Sequence, residues 1–293
     1  MYPFKELKPD DFAVFQRYID INKFINSEYC FTTLFTWQKA FHIKFAIIEN
    51  CLCANGGWDN LEYYYLPLGE KNDIRRALAT LIEYRTASGK PFRLMSVSDD
   101  MINLLGEIDM LDKFEKEEKR EFSDYVYKRE KLITLSGNKL HGKRNHFNFF
   151  TMNNVYAMED ITEQNIGECR DMLINAIDRR SANADDELDV TMKALDNRDA
   201  LNLTGGALIV NGAVEGVVLA EEFYGMAIMN IAKANVEIRG ASVALFKLFL
   251  EKYLTGCEYV NFTDDMGVEG LRRAKLSYAP DYMIDKYVLT IKN

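Results

Sequence analysis

Histidine is scarce in this chain. Its three residues, His42, His141 and His146, show no HExxH spacing and no triad-like setting, and no GxSxG elbow occurs. The common sequence routes to zinc hydrolysis and serine-type nucleophilic catalysis are therefore missing. The five cysteines (30, 51, 53, 169 and 257) are odd in number and form no CxxC or zinc pattern. Cys51 and Cys53 alternate with Leu52 in an apolar, strand-like run, so they read as buried core thiols rather than metal ligands, in keeping with a reducing cytoplasm. No apolar run approaches the roughly 18 to 20 residues of a membrane span, and MYPFKELKPDDF lacks the apolar region of a signal peptide. Positive charge is also in deficit: 36 Lys and Arg against 45 Asp and Glu give a net charge of −9. That balance argues against broad nucleic-acid binding and leaves room only for a local basic patch. Asp185-Asp186-Glu187 has no EF-hand spacing and reads as a solvated loop.

What is present describes a globular protein. At 293 residues the chain has room for two domains, and 48% hydrophobic residues with 16 Tyr and 18 Phe supply their cores. The most organised stretch is EYVNFTDDMGVEGLRRAKLSY, Glu258 to Tyr278. A β-rich run, 259–262, feeds through Thr263-Asp264-Asp265 into an amphipathic helix from about Gly267, with Leu271 and Ala274 on one face and Arg272, Arg273 and Lys275 beside them. Ligands gather where such strands end. The plainer alternative is an N-cap at Thr263 or Asp264 followed by a solvated basic helix face.

In chain order, Pro9-Asp10-Asp11 opens a helix to about Ile19. The aromatic run 31–45 is buried on any reading, but its periodicity does not choose between helix and strand. Residues 45–48 and 51–54 flank Glu49-Asn50 as a hairpin. A strand at 63–66, a helix at 73–86, a strand at 92–97 and a helix from Ser98 follow. The charged run 112–121 reads as a solvated helix or linker. Residues 125–127 form a strand and 129–135 a helical turn.

Two landmarks recur in the same order. VSDDMINLL (97–105) matches FTDDMGVEGL (262–271), and FKELKPDDFAVFQRYI from Phe4 matches YAMEDITEQNIGECRDML from Tyr156. Their common offset of roughly 150 to 165 residues points to duplication of one fold unit. The second copy is the clearer one. It reads as helix, three-strand meander with an Asn211-Gly212 type I′ turn, helix 243–254, strand, helix and a closing strand near 284–291. The expected division is 1–120 for a degenerate first unit, 121–154 for a basic and aromatic connector, and 155–293 for the second unit. In the connector, Lys139 to His146 is the most basic window and runs into Phe147, Phe149 and Phe150. It could grip a phosphate through Lys143, Arg144 and Asn145, or form a solvated helix whose phenylalanines pack into a core.

The element order, with Arg239-Gly240-Ala241-Ser242 between the last meander strand and the helix, resembles the GNAT acyltransferase fold. Arg239 and Gly240 sit where those enzymes carry a pyrophosphate-binding loop. Over almost the whole chain, segments 124–150 and 261–278 resemble the signature segments of a bacterial family related to the C-terminal catalytic domain of phosphatidylglycerol lysyltransferase. That family is in turn similar to the Fem peptidyltransferases. The resemblance implies an α/β (α+β) fold of two tandem GNAT-like units, with mixed, mostly antiparallel sheets flanked by helices.

It also implies acyl or aminoacyl transfer from acyl-CoA or aminoacyl-tRNA to an amine or hydroxyl, with no further cofactor or metal. The acceptor would be a small molecule, lipid or peptide, and the protein cytoplasmic. Transfer to an amine needs a base, oxyanion donors and positioning. The backbone of 226–232 would supply oxyanion donors. Asp265 and Glu269 would bind or deprotonate the amine, Lys275 matches the cleft lysine of the Fem and lysyltransferase proteins, and Tyr278 is a candidate acid. Lys275 with Arg272, at i and i+3, would flank an anion, and Arg239, Gly240, Lys143, Arg144 and Asn145 would hold the donor. The reading from another class is a non-catalytic shell for a small anionic ligand.

Overall fold

A computed structural model describes residues 3–59, 61–178, 181 and 183–292. After a 3-10 turn at Pro9–Asp11, the chain forms α1 (Phe12–Asn22) and α2 (Phe31–Trp37). The aromatic run thus resolves into a helix that buries Phe31, Leu34 and Phe35 at i, i+3 and i+4, followed by a strand. The meander is β1 (Lys44–Ile48), β2 (Cys51–Trp58) and β3 (Leu61–Tyr64). Glu49 and Asn50 both hold the positive φ that their two-residue hairpin requires. Next come α3 (Lys71–Ala87), β4 (Arg93–Val97), α4 (Asp99–Glu107) and β5 (Phe114–Glu118).

The chain then builds β6 (Asp124–Lys128), α5 (Arg129–Thr134), α6 (His141–Asn153), β7 (Tyr156–Asp160), α7 (Ile166–Asn175) and α8 (Ala184–Asp196). A second meander, β8 (Thr204–Val210), β9 (Ala213–Phe223) and β10 (Met226–Ala234), leads to α9 (Ala241–Lys252) and β11 (Tyr259–Asn261). The chain closes with α10 (Glu269–Leu276), β12 (Tyr282–Ile284) and β13 (Tyr287–Ile291).

Both meanders are antiparallel, and each is followed by a helix and a strand that returns parallel to the last meander strand: β3 with β4, and β10 with β11. The sheets run β1-β2-β3-β4-β13-β5 and β12-β6-β11-β10-β9-β8-β7. Each half thus has the meander–helix–strand–helix order expected of a GNAT-like unit. The division differs from the expected one. One unit comprises residues up to Asp124 together with those from Ile284 on, and the other is Tyr125–Met283. Residues 125–154 therefore belong to the second unit instead of forming a connector.

Two local expectations change as well. The charged run holds β5, an edge strand with only Phe114 buried, paired along its length with β13. Its pairing is non-local, so no alternation of apolar residues marks it. The closing strand is two strands, β12 beside β6 and β13 between β4 and β5, with Lys286 fully buried between them.

In the second unit α9 lays Ala241, Ala244, Leu245, Phe249 and Leu250 on a core that includes Tyr127, Phe150, Leu208 and Val260. Each fully buried Leu or Phe there contributes about 1.5 to 3 kcal/mol. All five cysteines are buried and unbridged. Burial pushes the Cys51 thiol up to about 12, and Cys169 and Cys257 to about 11, so these thiols pack instead of reacting. Among the described residues no helix is long and apolar enough to cross a membrane.

Candidate functional site

At the exit of β11 the sequence writes a tight turn, and its side chains bond their own backbone. Asn261 accepts the Thr263 N–H at 2.7 Å, Asp264 accepts the Met266 N–H at 3.0 Å, and Asp265 accepts the Gly267 N–H at 3.0 Å. Thr263, Met266 and Gly267 all have positive φ. The helix therefore starts only at Glu269, later than the sequence implies, whereas the matching SDDM segment of the first unit enters α4 directly at Asp99.

Asp265 is fully buried. Arg272 grips it through Nε to Oδ2 at 2.9 Å and Nη2 to Oδ1 at 3.0 Å, and the Tyr125 hydroxyl donates to Oδ2 at 2.5 Å. Burial alone would raise this carboxyl's pKa. The Arg272, Tyr125 and Gly267 donors outweigh burial and hold it below the ordinary carboxylate range. A carboxylate so depressed and so bonded is a poor proton acceptor, and the geometry gives Asp265 the task of fixing Arg272 and the turn.

Lys275 reaches back from α10 to donate to the carbonyl oxygens of Phe262, at 2.5 Å, and Asp264, with Thr263 Oγ1 at 3.4 Å. These bonds tie the helix to the strand end through backbone carbonyls. The two cations expected to flank an anion are thus each engaged within the turn. Glu269 is exposed and only loosely paired with Arg273, at 3.8 Å.

The opening in this unit lies elsewhere. β10 pairs with β11 only over 226–228, and residues 229–234 run on past it, with a bulge between Met229 and Ile231 on the β9 side. The turn that follows is built on Asn235, whose side chain bonds Glu215 Oε2 at 2.7 Å and the Glu237 N–H at 2.9 Å. Gly240 ends the turn at φ +90°, and a Cβ there would lie 2.3 Å from the His146 carbonyl oxygen, so only glycine lets the turn pack on α6. Because α9 begins here, the N–H groups of Ser242 and Val243 have no backbone acceptor among the described residues. His146, residues 234–240 and Ser242 line a cavity of about 350 Å³ at this helix N-terminus.

One cation lines that cavity and another lies one turn from its lining residue His146 on α6. Arg239 is exposed, with its guanidinium 4.4 Å from the Phe149 ring centre. Lys143, one turn before His146 on α6, is partly buried and holds its amine 3.8 Å from the Tyr278 ring centre. Among the described residues no carboxylate pairs with it, and burial lowers its pKa to about 8. Tyr278 is buried, with the Ser242 side chain beside its hydroxyl. Burial pushes that phenol's pKa up, and Ser242 is the group acting against the shift.

The basic window therefore divides by role. Arg144 donates to the Gly137 carbonyl at 2.7 Å and to that of Leu135, closing the end of α5. Asn145 bonds His141 at 3.1 Å. Lys143 instead sets its amine against the Tyr278 ring.

Sequence reasoning missed a second charged cluster, in the first unit. Lys286 and Asp124, both fully buried, pair at 2.6 Å. Ser27 donates to Asp124 through its hydroxyl at 2.8 Å and its N–H at 3.0 Å, and Glu28 lies 2.9 Å from the Lys286 amine. Burial raises the Glu28 pKa most. Lys286 opposes the shift and Asp124 adds to it. The partners lie about 100 to 260 residues apart, beyond any local motif.

The family described as phosphatidylglycerol lysyltransferase, C-terminal, matches residues 20–290. Among solved structures the chain is similar to a conserved protein of unknown function from Bacteroides thetaiotaomicron, at 30% identity and TM-score 0.91 over 100% of both chains. It is also similar to L-PGS from Bacillus licheniformis, at 14% identity and TM-score 0.70 over 99% of this chain and 93% of that one. FemX follows at 9% identity and TM-score 0.56, over 99% and 98% of the two chains. The last two likenesses speak for the fold. A curated protein of Mycoplasmoides gallisepticum is 25% identical over 175 residues, 58% of this chain, and the match spans only 56% of that relative's length.

Proposed function

The chain belongs to the family of the phosphatidylglycerol lysyltransferase C-terminal domain, and from that premise we propose that it transfers an acyl or aminoacyl group to an amine or hydroxyl acceptor. The phosphate-bearing donor, acyl-CoA or aminoacyl-tRNA, would enter the cavity at the start of α9. The observation that carries this reading is the opening where β10 runs on past β11. It leaves a strand edge for the donor, a helix N-terminus whose Ser242 and Val243 N–H groups have no backbone acceptor among the described residues, and Arg239 in the lining, with Lys143 one turn from the lining His146. Gly240 keeps the turn close to α6 and so shapes the entrance.

The second reading, a non-catalytic module for a small anionic ligand, draws on a different observation. Asp265, Arg272 and Lys275 are all engaged within the β11–α10 turn, which makes the buried carboxylate there a poor base.

Thermal shift against acetyl-CoA, free CoA and charged tRNA tests the donor. A ligand at 100 times its Kd raises stability by about 2.7 kcal/mol, a readily measured change. Stabilisation by a charged donor, with its acyl group then lost to added amines, supports transfer. Stabilisation without acyl loss to any acceptor supports the binding module, and no shift with any donor overturns the cavity assignment.

A further inference from the structure

The open edge of β10 holds a polar atom that nothing in the fold uses. β11 leaves β10 after Ile228, and the bulge lies between Met229 and Ile231, so Asn230 stands where the two strands part. Ala227 and Met229 belong to the core beneath α9, as does Ala220 on β9. Glu221 and Ile228, paired across the ladder, alternate to the other face. There the Asn230 side chain turns its NH2 to Glu221 Oε1 at 3.0 Å. Glu221 is buried and Asn230 is half-buried. The other end of that amide, Asn230 Oδ1, is shielded from solvent and has no hydrogen-bond partner among the described residues. A buried acceptor left unbonded costs free energy, so its persistence where the sheet opens points to a ligand's donor.

We propose that Asn230 and Glu221 form a subsite for a primary ammonium group, carried either by the acceptor amine or by an aminoacyl donor. The inference deepens the transfer reading and rests on it. An ammonium has three N–H donors and no acceptor. Bound to Asn230 Oδ1, it stays beside the Glu221 carboxylate, because one amide group touches both. A hydroxyl can also fill Oδ1, but it gains nothing from the carboxylate's charge.

The subsite lies along the same edge as the cavity. β10 rises about 3.3 Å per residue, so Asn230 is about 13 Å along the strand from Ala234 in the cavity lining. A donor with its phosphate at the start of α9 and its chain along this edge brings its acyl end to the bulge. An ammonium held there is either the acceptor nitrogen or the α-ammonium of the acyl group itself.

The test is isothermal titration calorimetry of the whole protein at pH 7 with n-butylamine and alaninamide, each against its neutral counterpart, 1-butanol and propionamide. At least one amine is expected to bind about tenfold or more tightly than its counterpart. Tighter n-butylamine marks an acceptor amine, and tighter alaninamide marks the ammonium of an aminoacyl donor. Glu221→Gln keeps an acceptor for the Asn230 amide but removes the charge, and should erase the preference. Asn230→Ala should weaken amine binding about tenfold or more, and it decides the matter if Glu221→Gln melts early. Amines that bind no better than their neutral counterparts, or a preference that survives Asn230→Ala, would overturn the subsite. Free CoA titrated alongside reads the cavity separately. Absent CoA binding with the amine preference intact would fail the donor cavity and leave the ammonium subsite standing.

Discussion

Arg272 holds Asp265 at two points, Nε to Oδ2 at 2.9 Å and Nη2 to Oδ1 at 3.0 Å, with the carboxylate fully buried and the guanidinium partly exposed. The pair fixes the loop between β11 and α10. The folded Asp265 pKa is depressed, so its contribution to stability is present above the unfolded value, about 3.9, and fades as pH falls through the folded value. Asp265→Asn should lower stability by about 3 kcal/mol near pH 7, because it breaks a buried charged network. The loss should shrink in acid. Urea denaturation of both proteins from pH 7 down to pH 3 measures it, and a deficit that does not change with pH would contradict the assignment.

Lys275→Met should melt early. It strips a donor from the Phe262 and Asp264 carbonyls, and a lost hydrogen bond to buried acceptors costs about 1 to 3 kcal/mol. Donor binding per folded molecule should stay near the wild-type level. A variant that melts normally but fails in transfer would return Lys275 to a catalytic role.

The basic window should divide under mutation. Arg144→Ala removes the two carbonyl bonds that close α5 and should lower the melting temperature. Lys143→Ala should leave melting nearly unchanged and weaken donor binding. If an aminoacyl-tRNA is the donor, wild-type affinity should fall with salt by a log–log slope of about −0.7 per contacted single-strand phosphate. Salt-insensitive binding would remove the phosphate role from Lys143.

Glu28→Gln should stabilise the protein at neutral pH and above. Because the folded Glu28 pKa is raised, its favourable contribution is complete below the unfolded value, about 4.3, and is lost as pH rises through the folded value. The amide never ionises beside Asp124. The urea midpoint of the variant should therefore exceed that of wild type by a margin that widens from pH 4 to pH 8, and a constant margin would reject the buried-charge account.

Gly240→Ala should cost stability and reshape the cavity together. A residue at φ +90° with a Cβ loses about 1 to 2 kcal/mol in backbone strain, and the methyl would also press on the His146 carbonyl and Phe150. Calorimetry should show a lowered Tm, and donor-induced stabilisation should drop with it. Unchanged donor binding would place the ligand away from this turn.

The sequence alone determined most of the elements and their order. Asn211-Gly212 and Glu49-Asn50 announce their hairpins because two consecutive residues at positive φ admit few side chains. The apolar run of α9 announces a helix lying on a sheet, and the recurring SDDM and TDDM segments mark two units of one kind. These are local signals, carried by backbone preference and by hydrophobic period.

Tertiary structure decided the partners. The charged residues 115–118 became a strand only through β13, and the last strand broke at Lys286 because a buried Asp124, far back in the sequence, holds that lysine. By type and spacing, Asp265, Arg272 and Lys275 look like catalytic groups at a strand exit. The fold engages them with one another, with the turn's own backbone and with Tyr125 from β6, while Arg239 and the Gly240 turn line the cavity. A sequence displays which groups carry charge, but only the fold determines which of those charges remain unpaired, because pairing depends on distances between residues remote in the chain.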